Sequence, residues 1–321
     1  MKIAVLLEEK NFRRYASLDT LPTDYELYLF GNRDIDEDAV AASGAEMLIV
    51  DPMVPVKASL IQKMPTLKLI QSQGVGYNLF DTAAARKQGV DVCNCAGANA
   101  TAVAEQAILL MLSVLRGVKE NDRMVYAARQ AEAKGRCFQN GITELRDCHV
   151  GIVGMGAIGM ATAKLLRAFG CRVSYWNRKP KPDCGLPYLS RDELLKQCDI
   201  VSLHVAVTPE TTNFINDETL SMMKPGSILI NTARGEIVDQ EALCRAIISG
   251  KLGGAGLDTL SPEPVTADNP LLHLPEECRD RVVLSPHIGG ITEGSFRRYF
   301  GIIWENAAHI AAGEAPRNIV N

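Results

Sequence analysis

The sequence is short of several things, and each shortage removes a class of protein. No apolar run reaches the ~20 residues of a membrane-crossing helix. The best, residues 107–115, is bounded by Glu105 and Arg116, so a membrane partner is not expected. The opening Met1-Lys2-Ile3-Ala4-Val5-Leu6-Leu7-Glu8 meets an acid too early for a secretory leader and reads as a first β-strand. There is no basic run, and the formal net charge of −4 argues against a nucleic-acid partner. No repeat of solenoid length and no low-complexity tract is visible. Cysteine is not scarce, at nine, but no C-x-x-C pair exists; Cys93 and Cys95 are the only close pair and have no histidine beside them. A structural zinc or other metal is therefore not expected, and reduced, buried thiols in a cytoplasmic protein are.

What is present is an ordinary globular balance, 47% hydrophobic and 22% charged over 321 residues. That length suits one large or two medium domains with full cores. The stretch that organises the chain is Val150-Gly151-Ile152-Val153-Gly154-Met155-Gly156-Ala157-Ile158-Gly159. It reads as a buried strand entering a glycine turn and then a helix, with the G-x-G-x-x-G spacing of a dinucleotide fingerprint. Gly154 permits a tight turn, Gly156 lets the backbone approach a pyrophosphate, and Gly159 lets the helix lie close to its strand. Met155, Ala157 and Ile158 then surround the phosphates at the positive end of the helix.

On either side of this turn, strand-like and helix-like runs alternate. Before it, residues 3–7, 26–30, 47–51, 67–71 and 90–94 read as strands, and 36–42, 58–63 and 80–88 as helices. Asn99 reads as the cap of a long apolar helix over 100–116, and 117–145 as a polar helical arm belonging to neither sheet. After the turn, 172–176, 200–204, 227–231, 254–257 and 282–285 read as strands, with helical pieces at 193–196, 217–222 and 240–249. A final amphipathic helix runs from Thr292 to Ala312. The expected fold class is α/β, with two doubly wound parallel-sheet, Rossmann-like domains.

One further absence bears on the cofactor. A dinucleotide fold that uses NAD carries an acid about 20 residues past the glycines, where it holds the ribose 2′-hydroxyl. Here that strand ends Asn177-Arg178-Lys179, with Lys181 beyond and no Asp or Glu. Asn177 can bond a phosphate oxygen, and the Arg178 guanidinium suits a 2′-phosphate dianion. NADP(H) is expected ahead of NAD(H).

Three segments after the fingerprint carry a resemblance to a known family: 204–211 (His-Val-Ala-Val-Thr-Pro-Glu-Thr), 223–235 (ending Asn231-Thr232-Ala233-Arg234-Gly235) and 285–290 (Ser-Pro-His-Ile-Gly-Gly). Together with Gly74-Val75-Gly76-Tyr77-Asn78 they resemble the D-isomer-specific 2-hydroxyacid dehydrogenases, and the Asn-Arg-Lys turn is most similar to the glyoxylate/hydroxypyruvate reductase branch. The resemblance implies that a cofactor domain, 99–288, is inserted into a substrate domain made of 1–98 and 289–321. It implies a homodimer formed through the long helix and the arm.

It also implies that Arg234, Glu263 and His287 are catalytic, which the chemistry of a 2-keto acid reduction explains. Hydride goes to C2 and a proton to its oxygen, so a proton donor active near neutral pH is needed, and histidine is one. A carboxylate such as Glu263 fixes the ring and balances its charge. Arg234 offers a planar fork for the substrate carboxylate and polarises the carbonyl. Backbone N–H groups of Val75 and Gly76 would take the rest of the carboxylate, and Met53 would line the side-chain pocket. On the cofactor side, the family pattern assigns Thr101 to a phosphate and Val205, Ala206 and Val207 to the adenosine. It puts Asp258 on the carboxamide, with Thr232, Ala233, Arg234, His287 and Gly289 around the nicotinamide. The expected activity is NAD(P)H-dependent reduction of a small 2-keto acid to the D-2-hydroxy acid. The alternative from another class is a nucleotide-sensing, corepressor-like binding protein, since such corepressors resemble the family in fold and in this triad.

Overall fold

The computed structural model describes residues 1–321, which divide into two units: Met1–Asn99 with Ile291–Asn321, and Ala100–Gly290. In the first unit, short apolar runs give β1 (Lys2–Leu6), β2 (Glu26–Leu29), β3 (Met47–Val50), β4 (Leu69–Ser72) and β5 (Asp91–Cys93). Between them lie α1 (Glu9–Tyr15), α2 (Glu37–Ala42), α3 (Ala58–Lys63) and α4 (Thr82–Gln88). The strands are all parallel, in the order β2-β1-β3-β4-β5. A parallel sheet must be covered on both faces, which is why β3 and β4 are buried along their whole length. The period of two is visible in β1: Ala4 and Leu6 join the core on one face, Ile3 and Val5 the core on the other. Helix α2 is capped by the Asp36 side chain, and α4 by that of Asp81.

The second unit begins with α5 (Ala100–Leu115), α6 (Val118–Tyr126) and α7 (Gln130–Asn140), ahead of any strand. Its sheet is built from β6 (His149–Val153), β7 (Arg172–Trp176), β8 (Ile200–Leu203), β9 (Ser227–Asn231), β10 (Leu252–Leu257) and β11 (Val282–Leu284). Alternating with these are α8 (Ala157–Ala168), α9 (Arg191–Gln197), α10 (Asp217–Met222), α11 (Gln240–Ile248) and α12 (Glu276–Arg279). The strand order is β11-β10-β9-β8-β6-β7, again all parallel. The order reverses between β6 and β8, and the carboxyl ends of strands at such a switch point form the ligand crevice of doubly wound sheets.

Helix α5 lies directly on β10. A Cβ at Gly256 would sit 2.7 Å from Leu110 Cβ, and one at Gly254 would sit 2.5 Å from Val114 Cγ1. The glycines of β10 are therefore a flat seat for that helix. Asn99 does not cap it, contrary to the sequence expectation: its buried Oδ1 accepts no hydrogen bond. The polar arm is anchored to its own unit by Lys119 Nζ, which donates to the carbonyls of Arg279 and Val282, both at 2.7 Å. No single helix is long and apolar enough to cross a membrane.

The chain closes with α13 (Glu293–Ala312), capped by Thr292, which belongs to the first unit. Tyr299, Phe300, Ile303 and Ala307 are buried in the same cluster as Ile3, Val5, Phe12, Met47 and Leu69. At about 1.5–3 kcal/mol for each large apolar side chain buried, α13 is a wall of that core, not an appendage.

Candidate active site

The fingerprint turn follows β6, beside the switch point. Its three glycines are held to glycine by different neighbours. Gly154 has φ +99°, and a Cβ there would meet the His204 carbonyl and Val205 Cγ1, both at 2.7 Å. A Cβ at Gly159 would come within 2.1 Å of the Gly154 carbonyl oxygen. Gly156 has neither constraint: no protein atom lies within 4 Å of where its Cβ would be. The fold needs two of these glycines, and the third keeps open a space in front of α8. No side chain caps that helix, so its first N–H groups, around Ala157, Ile158 and Gly159, are available to an anion. The turn fits a dinucleotide pyrophosphate.

At the end of β7, the Asn177 side chain is engaged within the chain. Its Oδ1 accepts the Met155 N–H at 3.3 Å and its Nδ2 donates to the Lys179 carbonyl at 2.7 Å. Both ends of the amide thus brace the glycine turn and the following loop. Arg178 and Lys179 are exposed. The Glu210 carboxyl is held below its ordinary value by the Thr208 side chain and by its own backbone N–H, with Arg178 adding to them. In the loop after β8, Val205 and Val207 are half-buried while Ala206 is exposed. Thr101 is exposed on the first turn of α5.

The other strand ends of this sheet carry the remaining second-unit candidates. After β9, the buried Asn231 side chain accepts the Ala233 N–H at 3.0 Å and donates to the Arg234 carbonyl at 2.8 Å. It thereby shapes the Thr232-Ala233-Arg234 turn, in which Arg234 Nη1 reaches the Ala233 carbonyl at 2.7 Å. A Cβ at Gly235 would lie 2.1 Å from the Leu260 backbone, so the loops after β9 and β10 pack directly together. In the latter loop the Ser261 carbonyl accepts from Gln240 of α11 and from Asn269, the second at 3.1 Å. They steady the segment that presents Glu263.

His287 follows β11 with φ +56°, a left-handed backbone that non-glycine residues seldom adopt. Its Nδ1 lies 2.6 Å from Glu263 Oε1. What holds it there is Asp258, 2% exposed. One carboxylate oxygen accepts the Ser285 hydroxyl at 2.5 Å and the Ile288 N–H at 3.1 Å; the other accepts the Gly289 N–H at 2.8 Å. Gln106 of α5 donates to the Ser285 hydroxyl oxygen at 2.9 Å. Asp258 was expected to face a carboxamide; within the chain its oxygens hold the two backbone N–H groups that follow His287 and the side chain of Ser285 before it.

In the first unit, Met53 is exposed in the loop after β3, and Val75 and Gly76 are half-buried in the loop after β4. A Cβ at Gly74 would lie 3.3 Å from Pro52 Cγ, so the two loops are adjacent. Sequence reasoning gave no role to Asn231 and Ser285, though both lie in the motifs that carry the resemblance, and it missed Gln240, Asn269 and Gln106, whose only signal is a polar residue in an apolar or strand-end setting.

A doubly wound sheet with a ligand-ready glycine turn at its switch point, and a histidine–carboxylate pair at the same sheet's strand ends, defines a dinucleotide-dependent enzyme. Comparison with known proteins makes this particular. Residues 108–289 match the family model for the D-isomer specific 2-hydroxyacid dehydrogenase, NAD binding domain. The chain is 36% identical to a glyoxylate reductase of Korarchaeum cryptofilum over 271 residues, 83% of this chain and 80% of that protein. It is 30% identical to a hydroxypyruvate reductase of Blautia hydrogenotrophica over 289 residues, 89% and 88% of the two chains. Among solved structures, the NAD-complexed D-isomer specific 2-hydroxyacid dehydrogenase of Lactobacillus delbrueckii ssp. bulgaricus aligns over 100% of both chains, with TM-score 0.82 and 29% identity. The chain belongs to the D-isomer specific 2-hydroxyacid dehydrogenase family and is an NAD(P)-dependent oxidoreductase.

Proposed function

We propose that this enzyme reduces glyoxylate, hydroxypyruvate or a close 2-keto acid to the D-2-hydroxy acid and prefers NADPH. The observation that carries the reading is the 2.6 Å pairing of His287 with Glu263, on a histidine whose following backbone N–H groups are held by the buried Asp258 carboxylate. Such an arrangement keeps one ring nitrogen on Glu263 and leaves Nε2 to hold the proton that the reacting oxygen needs. Arg234 takes the substrate carboxylate and draws electron density from the carbonyl. Val75 and Gly76 supply N–H groups to the same carboxylate, and Met53 borders the substituent on C2. The reduced nicotinamide, when bound, supplies the hydride. Gly154 to Gly159, Thr101, Val205 to Val207, Thr232, Ala233, Asp258 and Gly289 form its site.

NADPH is favoured because the strand end after the glycine turn carries Arg178 and Lys179 and no acid. The Ala100–Gly290 unit is accordingly the cofactor domain and the other unit the substrate domain. We further read the protein as a cytoplasmic homodimer, on its unpaired thiols and on the apolar side chains exposed along the arm.

Following cofactor absorbance with NADPH and NADH side by side, against glyoxylate, hydroxypyruvate and a branched 2-keto acid, tests the reading. Turnover with at least one acid and a higher kcat/KM with NADPH are expected. Failure to reduce any 2-keto acid removes the proposal, and equal use of both cofactors removes the role of Arg178.

A further inference from the structure

The turn after β4 has three consecutive carbonyls, and each is tied down within its own unit. Cys95 N–H donates to the Gly74 carbonyl at 2.7 Å, Asn94 Nδ2 to the Val75 carbonyl at 2.9 Å, and Ser72 Oγ to the Gly76 carbonyl at 2.6 Å. In a trans peptide the N–H of one residue points opposite to the C=O of the residue before it. Fixing the three oxygens therefore also fixes the N–H groups of Val75, Gly76 and Tyr77, each turned away from the oxygen of its own peptide. None of those three donates to any group of the chain. Successive N–H groups left free in a turn make an anion-binding concavity with no cationic side chain.

Two of the three ties come from side chains, and neither side chain is incidental. Ser72 is fully buried and Asn94 is 5% exposed. Asn94 is itself held: its Oδ1 accepts the Ala96 N–H at 3.1 Å, and its backbone exchanges two bonds of 3.3 Å with Asn318, through Asn94 N–H to the Asn318 carbonyl and Asn318 Nδ2 to the Asn94 carbonyl. Each buried donor is satisfied by its loop carbonyl, so truncating either side chain leaves that carbonyl without its partner.

We propose that Ser72 and Asn94 are positioning residues for the substrate: by pinning the Gly76 and Val75 carbonyls they orient the N–H groups that receive the carboxylate of a 2-keto acid. This rests on the reading of Val75 and Gly76 given above. Removing either pin lets a peptide plane rotate, which loosens the grip on a carboxylate and leaves proton transfer at His287 alone.

The test compares glyoxylate with its methyl ester, which lacks the charge, in wild type, Asn94→Ala, Asn94→Asp and Ser72→Ala, with thermal unfolding of each as a check on folding. Asn94→Asp keeps the shape and loses the donor, so it carries the test if a truncated variant fails to fold. Each folded variant should raise KM for glyoxylate, and the inhibition constant of oxamate, by roughly tenfold or more. The kcat, the KM for NADPH and the kcat/KM for the ester should stay within about threefold. Ser72→Thr, which keeps the hydroxyl, should restore the glyoxylate KM. If wild type distinguishes acid from ester and folded variants keep that distinction, Ser72 and Asn94 only support the fold and the inference is overturned alone. If wild type treats acid and ester alike, the carboxylate reading of the turn falls, and this inference with it.

Discussion

At the scale of single residues, the three fingerprint glycines look alike on paper and are held by different physics. Gly159 is required by a backbone oxygen 2.1 Å from any Cβ, whereas Gly156 is bounded by nothing in the protein. Gly156→Val should therefore fold with nearly wild-type thermal stability and lose most of its affinity for NADPH, read by fluorescence titration. Gly159→Ala should instead lose stability, by about 1–3 kcal/mol or more, because the helix must move off its strand. Retained NADPH affinity in a folded Gly156→Val protein would count against the turn as the pyrophosphate seat. The supporting side chains around the site were hidden from the sequence for a simple reason. Asn94 reaches a carbonyl 19 residues back and Asn269 one 8 residues back, while Gln106 reaches Ser285 across 179 residues. Neither periodicity nor local motif encodes such pairings. Glu263 and His287, 24 residues apart, were singled out through family resemblance, as an ordered set with Arg234 after the fingerprint.

At the scale of elements, the regular pattern was largely legible. Helices α3 and α10 and strands β7 and β9 coincide with the runs read from sequence, since each has a clear apolar period bounded by polar or glycine residues. Helix α1 was not anticipated: only Phe12 among its seven residues is buried, so there is no stripe to read. Strand β8 holds a less visible feature. Just past it, His204 bonds the Ser202 hydroxyl at 2.9 Å through Nε2, while its buried Nδ1 has no partner. Burial pushes this imidazole down from 6.5 to about 4. An unfolded chain takes up a proton on His204 near pH 6.5, and the folded one only near pH 4, so the folded state is fully favoured above that window and loses ground as pH falls through it. His204→Gln should accordingly flatten the fall of the urea midpoint between pH 7 and pH 4.5. An unchanged slope would mean that the imidazole accepts its proton in place.

At the scale of the whole molecule, the arm of α6 and α7 is the part that its own unit leaves uncovered. Tyr126 is 87% exposed and Phe138 79%, in a chain with few aromatics to spare. We expect light scattering to give the mass of two chains, and Tyr126→Asp with Phe138→Asp to bring it to one. A one-chain mass for the wild type would remove the dimer.

The discontinuity of the first unit has a bearing on how the protein is made. Its sheet is complete once residue 93 has been synthesised, but α13, which walls one side of its core, arrives only after residue 293. The Ala100–Gly290 unit, by contrast, is a single stretch of chain. On the ribosome the middle of the polypeptide can therefore settle before its beginning. Ile3, Val5, Phe12 and Met47 must wait, with one apolar face open, for the last helix to emerge. During that interval the nascent N-terminal segment exposes the apolar face that α13 later covers.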